Sequence, residues 1–367
     1  MKRRDFIKLT SGAILGTVYL LNEKRGEGKN HTGKKAMYWE PLREKKIRCR
    51  LCPHECITRP GERGICQVRE NRDGVYYSVN YGKVVAMNND PIEKKPLFHY
   101  KPGSYAFSIA TAGCNIRCQF CQNWEISQFP PEEVKYLYLS PNDVVELALR
   151  KGSSSIAFTY SEPIIFYEYM YDIAKLAKER GIGGVMISNG FINPTPMREL
   201  TKVLDAVKID FKSFKESFYT KICQGHLRPV LDTLLLLKKE GIWFEIVVLI
   251  IPTLNDSEIE IKSMSRWIKQ NLGTDVPLHF TRFHPTYRMT HLPPTPVSTL
   301  EKAHDIAVAE GLHFVYIGNV PGHPYENTYC VKTKKVLIRR IGFRVIENHI
   351  KNGKCPYCGN KVPGVWS

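Results

Sequence analysis

YAFSIATAGCNIRCQFC, residues 105–121, joins two signals in one short run. Its first seven residues are apolar and strand-like. The remainder carries Cys114, Cys118 and Cys121 in C-x3-C-x2-C spacing. Thiolates hold iron–sulfur clusters, and a cubane cluster has four irons to be held. Three closely spaced thiolates leave one iron without a protein ligand. An open iron is a place for chemistry, as an open coordination position is on any catalytic metal. A structural metal site and disulfides are the other uses of such a triplet.

Strands alternate with helices from residue 105 onward. Ser140 reads as an N-cap with Pro141 in the first turn, and the helix stops at Gly152. A strand is predicted at 155–159 and a helix from 164 to near Gly181. Further strands are predicted at 183–188, 206–210, 243–250, 277–283 and 313–318, with helices at 194–203 and 229–240 between them. Asn255–Glu258 and Ser298–Glu301 have capping-box spacing, opening helices that run to about Leu272 and Glu310. Repeated strand–helix units with short links imply an α/β fold with a parallel sheet. Six or seven units suit a partial or complete (β/α) barrel better than a small doubly wound sheet.

Ligand sites in such folds lie at the carboxyl ends of the strands. The cysteine loop follows the first strand. Thr159–Pro163 follows the second, Ser188-Asn189-Gly190 the third and Asp210-Phe211-Lys212 the fourth. His279 and His284 are expected on the same rim, in or just after the sixth strand, and Gly318-Asn319 after the last. Each cluster alone could be a turn or a cap. Together they predict one cavity.

A chain of 367 residues with 43% hydrophobic and 24% charged residues is globular. Its net charge of +17 sits at the ends. Residues 1–48 carry 13 Lys/Arg against 5 Asp/Glu, and residues 331–367 carry 9 against Glu347 alone. The body is nearly neutral, so no specific nucleic-acid site is expected. The ends are solvated tails or a dock for an acidic partner. Residues 1–22 read as a leader: an arginine pair at Arg3-Arg4, Phe6, then a modest apolar run too short to span a bilayer. The pair resembles a twin-arginine leader, which implies export or membrane attachment. The alternative is a retained cytoplasmic amphipathic segment.

Four more thiols, Cys49, Cys52, Cys56 and Cys66, fall within 18 residues. Zinc and a second iron–sulfur cluster both fit this spacing, and disulfides fit it in an oxidising compartment. Cys223 stands alone, more often a buried small residue than a chemical group.

The triplet, with Phe120 before its last cysteine, resembles the radical S-adenosylmethionine enzymes. The resemblance implies a [4Fe–4S] cluster whose free iron chelates S-adenosylmethionine. It also implies reductive cleavage to a 5′-deoxyadenosyl radical that abstracts hydrogen from substrate, and a low-potential electron donor such as a ferredoxin or flavodoxin. Over residues 45–367 the chain is similar to the pyruvate formate-lyase-activating-enzyme group, and within it to the AmmeMemoRadiSam radical SAM enzymes. The stretches that carry this include Cys49-Arg-Leu-Cys52-Pro-His-Glu-Cys56, Cys114 through Trp124, Thr159–Pro163, Ser188–Gly190, Asp210–Lys212, His279–Pro285 and Cys355-Pro-Tyr-Cys358. By this resemblance Glu162 contacts the methionine amino group, and Asn189 the ribose and carboxylate. Asp210 and Lys212 contact the cofactor's polar end, His284 lies near the adenosine and Phe120 backs the adenine. Ser161 stands where the family has Asn. A C-terminal ribbon is implied with Cys330, Cys355 and Cys358, its fourth cysteine replaced by Thr333. His349 or His323 completes a zinc site there, or the ribbon is empty.

The segments expected are an extension (1–30), a Cys-rich module (31–100), a radical SAM barrel (101–322) and a ribbon (323–367). Two functions follow. The first is a radical enzyme acting on an unknown substrate, a protein among the candidates, with Memo-like and AMMECR-type partners or as a glycyl-radical activase. The second is a multi-cluster electron-transfer scaffold docking an acidic partner. The oligomeric state is not readable.

Overall fold

The computed structural model describes residues 33–367, so the leader and the rest of segment 1–30 lie outside the described residues. A nine-stranded sheet organises them. Its strands are β1 (Lys83–Pro91), β2 (Tyr105–Thr111), β3 (Leu137–Tyr138), β4 (Ser155–Phe158), β5 (Gly183–Ser188), β6 (Ala206–Asp210), β7 (Trp243–Ile250), β8 (Leu278–Arg282) and β9 (Val315–Gly318). The spatial order is β9-β8-β7-β6-β5-β4-β2-β1-β3. β2 and β4 to β9 pair in parallel, each with its successor. β1 and β3 add an antiparallel margin beside β2. β9 and β3 end the sheet, so the barrel is partial. Ahead of β1, residues 34–78 form two small three-stranded antiparallel sheets. β1 itself, from within residues 31–100, belongs to the large sheet.

Six helices make the crossovers: α1 (Pro141–Arg150), α2 (Tyr167–Glu179), α3 (Pro194–Thr201), α4 (Leu227–Glu240), α5 (Glu258–Leu272) and α6 (Val297–Ala309). Strand alternation sorts the side chains. Val207 and Ile209 of β6, and Ile246, Val248 and Ile250 of β7, lie in the main core under the helices. Lys208 and Asp210 take the opposite face of β6 and form an ion pair with each other. Among the described residues no helix is long and apolar enough to cross a membrane.

Ser140 caps α1 as expected, accepting from Asp143 N at 3.2 Å while the Asp143 carboxylate accepts Ser140 N at 2.8 Å. The other two capping expectations are corrected. α5 starts behind Ser257, without a side-chain cap. Asn255 instead holds the preceding turn, accepting from Ile251 N at 2.7 Å and donating to Lys212 O at 2.7 Å. α6 starts behind Pro296, which places Ser298 inside its first turn. Glu301 then faces His323 at 3.1 Å. The helix expected from residue 164 opens as a 3-10 turn, Pro163–Phe166, before α2.

His279 is the larger correction. It is the second residue of β8 and lies near the amino end of the strand, away from the cysteine loop. There a buried network closes the base of the sheet. The Glu245 carboxylate accepts from Phe98 N (2.9 Å), His99 N (2.7 Å) and His279 Nε2 (2.8 Å). His99 Nδ1 donates to Pro363 O at 2.7 Å, and its Nε2 accepts from Tyr316 at 2.5 Å. Burial holds His99 down to about 4, so it is neutral. Arg340 reaches in from the C-terminal segment and donates to Phe98 O at 2.8 Å. These bonds tie residues 98–99 and 340–363 to β7, β8 and β9. Removing one partner of a buried charged network strands the others, at a cost of about 3–5 kcal/mol. Glu245→Ala is therefore expected to lower the thermal unfolding midpoint by several degrees, whereas Glu347→Ala, on the exposed hairpin, leaves it unchanged.

Candidate active site

The loop after β2 carries the three cysteines. Cys114 and Cys118 are buried and Cys121 is half-buried. Backbone bonds hold the loop from two sides: Gly113 N donates to Ile126 O (2.9 Å), Arg117 N to Cys223 O (2.7 Å) and Gln119 N to Ile222 O (3.1 Å). Gly113 has φ +101°, and a Cβ there would come within 2.8 Å of Cys66 O and Val68 Cγ1. Only glycine fits that approach.

Amide N–H groups of Ile116 and Asn123 point at the sulfurs of Cys114 and Cys121, and Ser127 Oγ lies 3.1 Å from Cys121 Sγ. Contact with Cys223, then burial, pushes the Cys118 thiol well up, and burial raises Cys114. Three soft donors on one loop, with amide donors to two of them, fit a cluster with one open iron.

Glu162 is 4% exposed and ends the turn after β4. Its Oε1 accepts from Ser188 Oγ (2.7 Å) and Ile164 N (3.1 Å), and its Oε2 from Asn189 N (2.8 Å). Burial nevertheless pushes it up to about 7. Asn189 Nδ2 donates to Asn115 Oδ1 at 2.9 Å and lies 4.0 Å from Cys114 Sγ. The Glu162–Asn189–Asn115 chain therefore runs from the β4 turn across the β5 turn into the cysteine loop. Ser161, where Asn was expected, donates to Thr111 O at 2.6 Å and so holds β2 to the β4 turn.

Asp210 and Lys212 follow β6, with Lys212 Nζ 3.8 Å from Asp210 Oδ2. Burial works against the Lys212 ammonium, but the Cys118 sulfur and the Asp210 carboxylate hold it above the ordinary lysine range. Burial likewise opposes the Asp210 carboxylate, yet Lys208 and Lys212 keep it below the ordinary range. Lys212 Nζ sits 5.5 Å over the Phe120 ring. His284 is exposed in the loop after β8. That loop turns toward the cysteines, with Arg288 N donating to Gln119 O at 3.0 Å and Tyr287 stacked on Trp124 at 5.1 Å.

The rim thus gathers Cys114, Cys118, Phe120, Cys121, Glu162, Asn189, Asp210 and Lys212, with His284 at its exposed margin. Three roles were not read from sequence. Asn115 is the acceptor for Asn189, Ser188 braces Glu162, and Cys223 packs on Cys118. Cys223 sits in a π-helical turn, Tyr219–Cys223, ending at Gln224 with φ 56°. No sequence spacing links residue 223 to residue 118. The tripeptide Ser188-Asn189-Gly190 was read as a unit, and its serine was the available signal.

Two other cysteine groups lie outside the rim. Cys49, Cys52, Cys56 and Cys66 line one cavity beside the triplet loop. Cys330, Cys355 and Cys358 have sulfurs gathered within 4.8 Å, and among the described residues theirs is the group with metal-ligand spacing. Thr333 N points at Cys330 Sγ at 3.4 Å, and the Thr333 N–H and hydroxyl lower the Cys330 thiol against its burial. Neither histidine proposed as fourth ligand joins them. His323 faces Glu301 at 3.1 Å and accepts from Tyr325 N, and His349 Nε2 lies 3.2 Å from Glu347. Thr333, which stands where the fourth cysteine was expected, meets Cys330.

A family model described as the radical SAM superfamily matches residues 108–262. An uncharacterized protein of Methanocaldococcus jannaschii is 47% identical over 331 residues, covering 90% of this chain and 98% of its own. The pyruvate formate-lyase-activating enzyme of Clostridium pasteurianum is 28% identical over 165 residues, 43% of this chain and 66% of that one. Among solved structures, Streptococcus suis SuiB bound to S-adenosylmethionine aligns over 65% of this chain and 56% of that one, with TM-score 0.47 and 11% identity. The chain belongs to the radical SAM superfamily. It is an enzyme of that superfamily with distant similarity to pyruvate formate-lyase-activating enzymes, and the family implies a [4Fe–4S] cluster and S-adenosylmethionine.

The ribbon geometry is testable by completion. Thr333→Cys supplies a fourth thiolate, which closes a structural zinc site. The Thr333→Cys chain should retain about one more zinc per chain than wild type after dialysis against EDTA, measured by atomic emission. Equal zinc in both chains would show that residue 333 is not the fourth position.

Proposed function

We propose that the triplet Cys114, Cys118 and Cys121 holds a [4Fe–4S] cluster at which S-adenosylmethionine is bound and reductively cleaved, the radical then abstracting hydrogen from a macromolecular substrate. The observation that carries this reading is the continuous chain from Glu162 through Asn189 and Asn115 to the cysteine loop. An electron-carrying scaffold needs no buried carboxylate beside an open iron. The cluster, when bound, supplies the electron that opens the carbon–sulfur bond of the cofactor.

The chain's own residues do the rest. Glu162, already anchored by three donors, offers its carboxylate to the N–H groups of the cofactor's amino group. Asn189 is held by Asn115 and reaches the ribose and carboxylate. Lys212, kept cationic by Asp210 and Cys118, faces the cofactor's carboxylate end, and Asp210 sets its position. Phe120 gives the adenine an apolar wall, and His284 closes the adenosine side. Burial of most of this set excludes water and strengthens each polar contact.

Two features support a macromolecular substrate. The Clostridium relative's name makes a protein, pyruvate formate-lyase, the thing it activates. The sheet also stays open between β9 and β3. On this reading the chain works as a glycyl-radical activase or in an AmmeMemoRadiSam system with Memo-like and AMMECR-type partners, fed by a ferredoxin or flavodoxin.

The chemistry is checked by anaerobic reconstitution, reduction with dithionite and addition of S-adenosylmethionine. Wild type is expected to release 5′-deoxyadenosine and Cys118→Ala none. A wild type that yields none, or a variant that still does, sinks the reading.

Glu162 adds a pH signature. Its carboxylate forms only as pH approaches about 7, whereas an ordinary glutamate is ionised throughout that range. Affinity for S-adenosylmethionine should therefore rise about tenfold from pH 5.5 to pH 7 as the carboxylate ionises. Glu162→Gln should bind more weakly and show a shallower rise over this range in anaerobic equilibrium binding.

A further inference from the structure

Cys49, Cys52, Cys56 and Cys66 line one cavity with Arg69, Tyr76 and Asn115. All four are free thiols, not disulfides. The thiols influence one another electrostatically: Cys52 feels Cys49, Cys66 and Cys56, and Cys66 feels Cys49 and Cys56. Amide N–H groups of Leu51, His54 and Val68 point at the sulfurs of Cys49, Cys52 and Cys66. The four donors face one space from two chain segments, residues 49–56 and Cys66.

A second observation points to what fills that space. Arg69 is 1% exposed and Tyr76 is 0% exposed. One guanidinium nitrogen of Arg69, Nη2, bonds Glu168 at 3.0 Å. Among the described residues its Nε and Nη1, and the Tyr76 hydroxyl, have no hydrogen-bond partner. Such buried donors are costly unless something accepts from them. Four thiolates with their metal carry net negative charge and offer sulfur acceptors to a buried arginine and a phenol.

Spacing separates zinc from a cluster. Around one tetrahedral zinc with Zn–S near 2.3 Å, the sulfurs lie about 3.8 Å apart. The ribbon sulfurs Cys330, Cys355 and Cys358 gather within 4.8 Å in this way. No three of the four N-terminal sulfurs do, and neither does the triplet Cys114, Cys118 and Cys121, since the ribbon is the group of three found among the described residues. A cubane needs the wider arrangement because each thiolate binds a different iron.

We infer that Cys49, Cys52, Cys56 and Cys66 hold a second [4Fe–4S] cluster, with Arg69 and Tyr76 donating to its sulfurs. With four protein thiolates it has no open iron. It takes no S-adenosylmethionine and exchanges single electrons only, with no bond made or broken. It adjoins the triplet loop: Asn115, next to Cys114, lines the cavity, His54 Nε2 donates to Asn115 O at 2.7 Å, and Gly113 abuts Cys66 O.

The test counts metal in the full chain, reconstituted anaerobically with iron and sulfide. Wild type should hold about eight irons, and the chain with Cys114→Ala, Cys118→Ala and Cys121→Ala about four. Reduced, that variant should give an electron paramagnetic resonance signal that S-adenosylmethionine does not alter. As a check against misfolding of the triple variant, Cys52→Ala should lose the unresponsive signal and keep the responsive one. A wild type with about four irons and zinc at the tetrad overturns the inference, as does a tetrad signal that shifts with S-adenosylmethionine. About eight irons without 5′-deoxyadenosine would overturn the proposed cleavage and leave the second cluster standing.

Discussion

Parallel pairing in sequential order is the constraint on which everything else in this molecule rests. A parallel connection has to return through a crossover, and the crossovers share one hand. Every strand-to-helix turn from β2 to β9 therefore emerges on one edge of the sheet. The cysteine loop, the Glu162 turn, the Asn189 turn and the Asp210–Lys212 segment come from points spread over 98 positions of sequence, yet they meet on that edge. Glu162 then binds two neighbouring turns together, because one carboxylate accepts from Ser188, Asn189 and Ile164.

The two ends of the sheet treat buried carboxylates in opposite ways. At the amino end Glu245 is opposed by burial, but His279, His99 and backbone donors surround it and hold it below the usual range. It is a structural charge, satisfied and fixed. At the carboxyl end Glu162 receives three neutral donors and no cation, and burial pushes it up to about 7. A carboxylate left without a cation inside a site suits a ligand that brings N–H donors. The same residue type is thus a tie at one end and, on the proposed reading, a ligand contact at the other.

Where sequence reading succeeded and failed follows from the range of the interactions. Ser140 with Asp143 is a local pair, and its cap formed as read. Asn255 and Ser298 had the same local spacing, but Lys212 O claimed Asn255, and a helix start behind Pro296 left Ser298 inside the first turn. Position after a predicted strand placed Asp210 and Lys212 on the rim. It could not place His279, because a histidine near the start of a strand reads the same as one at its end. Cys223 escaped because its contact with Cys118 spans a hundred residues and arises from a π-helical turn.

The amino-acid sequence by itself determined the alternation of strands and helices and the rim on which the triplet loop sits, since both follow from periodicity and from the position of motifs after strands. Local spacing also separated the triplet from the N-terminal tetrad, whereas the grouping of Cys330 with Cys355 and Cys358 came from the family resemblance. Only the tertiary structure decided that the barrel stays open, that Glu162 is bridged to Asn189 and that His279 belongs to the base. It also decided that the tetrad and ribbon sulfurs are spaced differently. Distances between sulfurs depend on how distant segments pack, and packing is a property of the folded chain that local spacing does not encode.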